Sequence, residues 1–299
     1  MMTYPELFRV ETTEALTLDA RPPLSDTYTL SPFVWRKSGP WEMLVRSVPR
    51  RDDVPALKIS SVYYGTSEDG LRFAMRDAPA LAPGPGPEDR DGCEDPTVAI
   101  CDGIYHVYYS GWNQEEGQGR LLLASGPDCD HLEKRGVRLH STPEIENPKE
   151  VTITQAGDGS WRLFFEYATK GASQIGLASS PNVDGPWTVL PPPFAARPGR
   201  WDDWHLSTGP ILSSDPGRPV LFYNGATRDA HWRIGWVQFN ADYTHVMARS
   251  EEPLIVPPPQ TGDRTDVAFS SSAVEQGGTI FLYYSIADQE MVRATLTRS

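Results

Sequence analysis

Hydrophobic positions along this chain fall into short runs, not long stripes. WEMLVRSV (41–48), IYHVYYSG (104–111), WRLFFEYA (161–168), PVLFYNGA (219–226) and TIFLYYSI (279–286) share one pattern: aromatic and β-branched residues that close on small or polar ones. They recur about every 60 residues, the interval of an internal structural repeat. A second run follows each (62–70, 121–128, 175–182, 234–242, 291–297) and a third precedes each (32–35, 96–100, 150–154, 209–213, 267–274). A weaker fourth stands at LRFAM (71–75) and WTVL (187–190). No stretch of about 12 residues keeps the 3.6-residue period of an amphipathic helix, so helix content should be low.

Five units of three to four short strands predict an all-β fold, a five-bladed β-propeller spanning 1–299 as one domain. Radial closure also removes the exposed sheet edges that so many strands would otherwise present. The last unit lacks a fourth strand after MVRATLT, while LFRVETTEALTL (7–18) has strand character and no partner. The N-terminal segment is therefore expected to complete the last blade and close the ring.

Composition supports this picture and narrows the partners. Nine Trp, twelve Tyr, 28 Pro and 25 Gly fit short strands joined by turns. The net charge of −13 argues against nucleic acid and anionic membrane surfaces as partners. No run approaches the ~20 apolar residues of a membrane-spanning helix. No secretory signal pattern opens the chain, and Cys93, Cys101 and Cys129 lack metal-ligand or disulfide-framework spacing. These features predict a cytoplasmic protein with reduced thiols, no bound metal and no cofactor.

In a propeller the first strand of each blade lines the axis, and its start opens into a funnel on one face. Polar residues at those positions are Glu94 and Asp95, Lys149 and Glu150, Asp202, Asp203 and His205, and Asp266. Second-strand ends add Arg46, Trp112, Glu166, Tyr223, Asn224 and Asp288. Carboxylates converging with Trp and Tyr suit a carbohydrate, because aromatic faces stack on sugar rings and carboxylates accept from hydroxyls. Two carboxyl groups flanking an anomeric carbon are also the equipment for glycoside cleavage. One must stay protonated near neutral pH, and crowding among acids in a partly dry funnel raises its pKa. The acidic stretch PGPEDRDG (85–92) reads as a solvated loop leading into this funnel.

YYGTSEDGLRF (63–73), GCEDPTVAICDGIYHVYYSGW (92–112), WDDWHLSTGPILSSDPGRPVLFYNGA (201–226) and DVAFSSSAVEQGGTIFLYYSIAD (266–288) resemble glycoside hydrolase family 130, in order and at blade spacing. Members of that family are five-bladed propellers that phosphorolyse or hydrolyse β-mannosides. The resemblance implies that Asp95, in the Glu-Asp-Pro element, is the acid. Together with position in the funnel, it marks Arg46, Glu94, Trp112, Lys149, His205, Tyr223, Asp266 and Asp288 as expected sugar contacts. Two departures stand out. The phosphorylases follow Glu-Asp-Pro with Arg, where this chain has Thr97. They also carry His-Arg-Pro at a third-blade strand end, where this chain has Phe165, Glu166 and Tyr167. Arg forks hold phosphate oxygens, so their replacement makes a poor phosphate site. The chain thus looks closer to the non-phosphorylase members, in which acids activate water; Glu150 and Glu166 are the candidates for that base. The expected function is inverting hydrolysis of a β-linked, mannose-containing oligosaccharide. A phosphorylase using inorganic phosphate at an atypical site, or a non-catalytic carbohydrate-binding propeller, are the alternatives.

Overall fold

In the computed structural model, which describes residues 6–50, 59–260 and 265–299, strands follow the repeat closely, and the α-helix is absent from the described residues. Five antiparallel sheets succeed one another along the chain. The first holds Tyr28–Trp35, Trp41–Val48, Ser61–Ser67 and Arg72–Met75, with Thr17–Asp19 added in parallel at its outer edge. Gly92–Cys101, Ile104–Asn113, Gln118–Gly126 and Glu133–Leu139 form the second. The third runs from Glu146–Gln155 through Trp161–Thr169 and Ala172–Ser180 to Thr188–Leu190. This is the five-bladed β-propeller that the repeat predicts.

Closure takes the expected route. The fifth sheet comprises Ala268–Gln276, Thr279–Ile286 and Glu290–Arg298, and Phe8–Ala15 pairs with its last strand, from Phe8 opposite Arg298 to Ala15 opposite Val292. The first and last segments of the chain thus share a sheet, and separating them would expose its backbone groups.

The fourth blade departs from expectation. Its inner strand begins earlier than residue 209 and is split into His205–Ser207 and Ile211–Leu212, both pairing with Val220–Ala226. Pro210 lacks an N–H for the ladder, and its carbonyl instead accepts from the Phe222 amide at 2.9 Å. Gly209 fits because a β-carbon there would collide with the Phe222 carbonyl oxygen.

Around the axis, each blade is tied to the next. Thr97 Oγ1 donates to Val151 O (2.6 Å), and Thr152 Oγ1 to Gly209 O (2.6 Å). Ser270 N donates to Asn224 Oδ1 (2.7 Å), Ser272 Oγ to Pro32 O (2.8 Å), and Ser31 Oγ to Asp95 Oδ1 (2.6 Å). Five short polar links therefore run through all five blades. They satisfy buried polar groups that inter-blade packing would otherwise strand. Apolar wedges fill the space between blades, as where Phe164, Tyr223 and Phe239 meet between the third and fourth. The three cysteines are free thiols, with Cys93 and Cys129 buried.

Phe8 measures what the closing strand contributes. It is 1% exposed and packs on Phe222 (centroids 5.0 Å apart) and Trp236 (6.1 Å) of the fourth blade. Phe8→Ala is expected to lower unfolding free energy by about 3–5 kcal/mol in urea titrations. A loss below about 1 kcal/mol would mean that the N-terminal strand is an ornament and not part of the closure.

Candidate active site

The acidic pair Glu94–Asp95 and the pair Lys149–Glu150 occupy equivalent places on neighbouring inner strands, and each sits on an irregularity of the ladder. Pairing slips between Glu94 and Thr97 and between Lys149 and Val151; Asp95 has φ 47° and Glu150 φ 44°. Ser31 repeats the feature in the first blade, with φ 54° and a slip between Leu30 and Phe33. In a regular strand, consecutive side chains point to opposite faces. An inserted residue breaks that alternation. Two adjacent charged side chains can then face the same funnel, which is why Glu94 and Asp95 stand together there. Left-handed backbone at a non-glycine residue costs on the order of 1–3 kcal/mol and persists only where its surroundings hold it.

Two cavities open beside these residues, of about 340 and 390 Å³. The first is walled by Asp95, Glu150, His205, Trp232, Phe269 and Asp288, among others. Arg46, Glu94, Trp112 and Asn147 help to line the second. Lys149, Glu166 and Ser173 belong to both, so the Lys149–Glu166 pair stands on the partition. Of the expected site residues, Asp95, Glu150, Glu166, Arg46, Glu94, Trp112, Lys149, His205 and Asp288 are brought together here.

Charge is shared in a definite way. Arg46 sits 2.5 Å from Glu94 Oε1 and 3.2 Å from Asp95 Oδ1. Lys149 Nζ lies 3.3 Å from Glu150 Oε1 and 3.4 Å from Glu166 Oε1, Glu166 being its directly opposed neighbour in the ladder. Burial works against the Arg46 charge, but Glu94, Asp95 and Glu150 outweigh it and raise its pKa. Glu166, foremost, holds the Lys149 ammonium in its charged form against burial, with help from Glu150 and Asp95. Four carboxyl groups thus face two cations. The excess falls on Glu150: burial, then the Glu166 and Asp95 charges, push its pKa up to about 8, against the opposing pull of Lys149 and a 2.9 Å hydrogen bond from Ser207 Oγ. Glu150 is thereby biased toward its protonated form. His205 accepts the Ser173 amide on Nδ1 (3.1 Å), which puts its own proton on Nε2, and burial lowers its pKa despite Glu166. It is therefore a neutral donor on the cavity wall.

Two expected contacts are not in the funnel. Tyr223 is fully buried: its ring stacks on Trp201, its hydroxyl donates to Asp202 Oδ2 at 2.6 Å, and Arg249 donates to that hydroxyl. Asp202, also fully buried, is clasped by Arg197 and Arg249, so both residues belong to the packing of the fourth blade. Asp266 is turned to Arg233 at 2.7 Å, and it is the next residue, Val267, that lines the cavity. The stretch 85–92 is not simply solvated either. Asp89 is 2% exposed and binds Lys134 Nζ (2.5 Å) and the Tyr109 hydroxyl (2.8 Å), anchoring the approach to Glu94. Thr97 puts no group into either large cavity, because its buried hydroxyl serves the tie to Val151.

Residues that the strand pattern did not single out are Trp232, Phe269, Ser173 and Asn147. Trp232 and Phe269 make an aromatic wall, with rings 5.3 Å apart, and His205 lies 5.6 Å from Trp232. Trp232 and Ser173 lie two residues, and Asn147 three, before the runs from which the strands were read, whereas Phe269 falls inside the run 267–274.

The comparisons with known proteins agree with this architecture. The glycoside hydrolase 130 family model, described as β-1,4-mannooligosaccharide phosphorylase, matches residues 162–298. A 1,2-β-oligomannan phosphorylase of Thermoanaerobacter sp. (strain X514) is 28% identical over 244 residues, 77% of this chain and 76% of that protein. A β-1,2-mannobiose phosphorylase of Listeria innocua is 26% identical, covering 78% of this chain and 65% of that one. Among solved structures, the Listeria innocua β-1,2-mannobiose phosphorylase in complex with β-1,2-mannobiose superposes with a TM-score of 0.76 at 21% identity, over 99% of this chain and 92% of that one. A structure described under the heading that family 130 contains glycoside hydrolases targeting β-1,2 mannosidic linkages in Candida mannan also gives 0.76, at 23% identity, over 90% and 84%. In its motifs, its sequence relatives and its fold the chain is similar to glycoside hydrolase family 130.

Proposed function

We propose that this protein hydrolyses a β-mannoside with inversion, using Asp95 as general acid and Glu150 as general base. The observation that carries this reading is the commitment of the cations. Among the described residues lining the two cavities, Arg46 and Lys149 are the cationic side chains, and each is already shared between two carboxylates. A phosphate dianion entering here would meet Glu94, Asp95, Glu150 and Glu166 without a free guanidinium fork to hold it. Water faces no such penalty.

The groups then divide the work by charge. Glu150, once ionised, is an unusually basic carboxylate, because the Glu166 charge beside it makes proton uptake favourable. Water attacks the anomeric carbon, its oxygen forms the new C–O bond, and Glu150 takes its proton. The glycosidic C–O bond breaks, and the leaving oxygen receives a proton from Asp95. Glu166 keeps Lys149 in place and sets the basicity of Glu150. Trp112 and the Trp232–Phe269 wall supply apolar faces for sugar rings, while His205 and Asp288 stand by as partners for hydroxyls. Phosphorolysis is the second reading, and the names of the curated relatives, all phosphorylases, favour it.

Incubation with β-1,2- and β-1,4-manno-oligosaccharides, with and without inorganic phosphate, separates the two. Free mannose should appear at the same rate in both conditions, and Asp95→Asn should lose about 10²–10⁴ in kcat with KM little changed. Mannose 1-phosphate formed only with phosphate would overturn hydrolysis, and binding without any turnover would overturn both readings.

The pH profile tests the proton inventory. Glu150 can take a proton from water only once it has lost its own, and burial with the Glu166 charge holds that proton up to about pH 8. Activity should therefore rise with pH as it passes through about 8. Glu150 faces Lys149 on its own strand, Glu166 on the adjacent strand, and Asp95 and Arg46 across the axis. Removing the Glu166 charge takes away the largest neighbouring repulsion and frees Lys149 for Glu150. Both effects lower the Glu150 pKa. Glu166→Gln should therefore move this rise to lower pH; a rise that stays put or moves upward contradicts the assignment.

A further inference from the structure

Beneath Asp95 and Glu150, on the side away from the two large cavities, the axis narrows to a chamber of about 30 Å³. Both carboxylates line it, together with the hydroxyl-bearing Ser31, Thr97, Thr152 and Ser271. That volume holds about two water molecules, and the polar wall offers them partners. Ser31 Oγ already donates to Asp95, and the Thr208 hydroxyl donates to the Glu150 carbonyl. Ser271 sits at the slip between Ser270 and Ser272 on the fifth inner strand, the counterpart of the irregularities at Asp95 and Glu150.

We infer that water in this axial chamber carries a proton from Glu150 to Asp95, resetting the pair between turnovers. The inference rests on the hydrolytic reading above. In that reaction the base ends protonated and the acid ionised. A second cycle needs the reverse, so one proton has to cross from Glu150 to Asp95 each time. The Glu150 carboxyl releases its proton to a chamber water, that water or its neighbour passes one to the Asp95 carboxylate, and charge and electrons balance with no outside reactant. The alternative path through bulk solvent runs by way of the large cavities, where the sugar sits. Both side chains are largely covered, at 15% and 12% exposure for Glu150 and Asp95. The chamber reaches both from below and stays clear of the sugar. Burial and the Glu166 charge favour the proton on Glu150, which is where each turnover leaves it. The reset is then a required step of every cycle.

Filling the chamber isolates this role. Ser271→Val replaces a wall hydroxyl with two methyl groups at a residue that touches neither large cavity. It should lower kcat at least about tenfold with KM unchanged, and a small acid such as imidazole should restore turnover in proportion to its concentration while the wild type stays insensitive. In the same variant, ¹³C NMR of labelled glutamate should show Glu150 titrating at higher pH, because its carboxylate has lost a water partner. Should Ser271→Val fail to fold, Ser271→Thr with its single added methyl group takes the same measurements. Wild-type kcat in the filled variant, or a slowed variant that ignores imidazole, overturns the relay and leaves hydrolysis standing. A wild type without phosphate-free turnover overturns hydrolysis, and the relay falls with it.

Discussion

Where an inner strand gains one residue, its side chains stop alternating, and charge gathers at the axis of this propeller. Asp95 and Glu150 both adopt left-handed backbone at such points, with Ser31 doing so in the first blade. Without the slips, one member of each adjacent pair would turn away from the funnel into packing between strands, where an unpaired carboxylate is far more costly. The ring of polar ties holds these irregularities: Ser31 reaches Asp95, Thr97 reaches Val151 beside Glu150, and Thr152 reaches the next blade at Gly209. Backbone strain, blade closure and the position of the carboxylates are one arrangement.

The charge balance follows from that geometry. Four carboxyl groups with two cations cannot all remain ionised in a half-dry funnel at little cost, and the imbalance raises the pKa of Glu150. The same imbalance disfavours a further anion. The fold alone would tolerate either a phosphate or a water nucleophile, so the reading of function comes from the site and its cations. The asymmetry between the pairs also separates their roles. Arg46 and Ser31 hold Asp95 from the first blade, whereas Glu150 and Glu166 lean on one ammonium in the third.

Much of the fold was legible in the sequence because strand runs spaced about 60 residues apart leave few other architectures. The closing strand was legible because an unpartnered edge demands a mate. The paired charges were visible too, as adjacent acids or an acid beside Lys at strand starts. Tyr223 and Asp266 were misplaced for a shared reason: strand-end position says which residues are near the rim, not which way each side chain turns. The Arg197–Asp202–Arg249 clasp that captures the Tyr223 hydroxyl draws on three separate segments, and Arg233 claims Asp266 from the neighbouring strand. Thr97 was read for the cation it lacks; its hydroxyl proves to be a structural tie between blades. The raised pKa of Glu150 was beyond any strand pattern, since it depends on burial and on three charges from two other strands and its own.

Turnover of a β-manno-oligosaccharide in H₂¹⁸O, followed by mass spectrometry and by NMR of the first-formed anomer, tests the central claim most directly. The account predicts one ¹⁸O at the anomeric carbon of released mannose, with that mannose appearing first as the α-anomer. Unlabelled sugar leaving as a phosphate ester, or mannose first formed as the β-anomer, would contradict it.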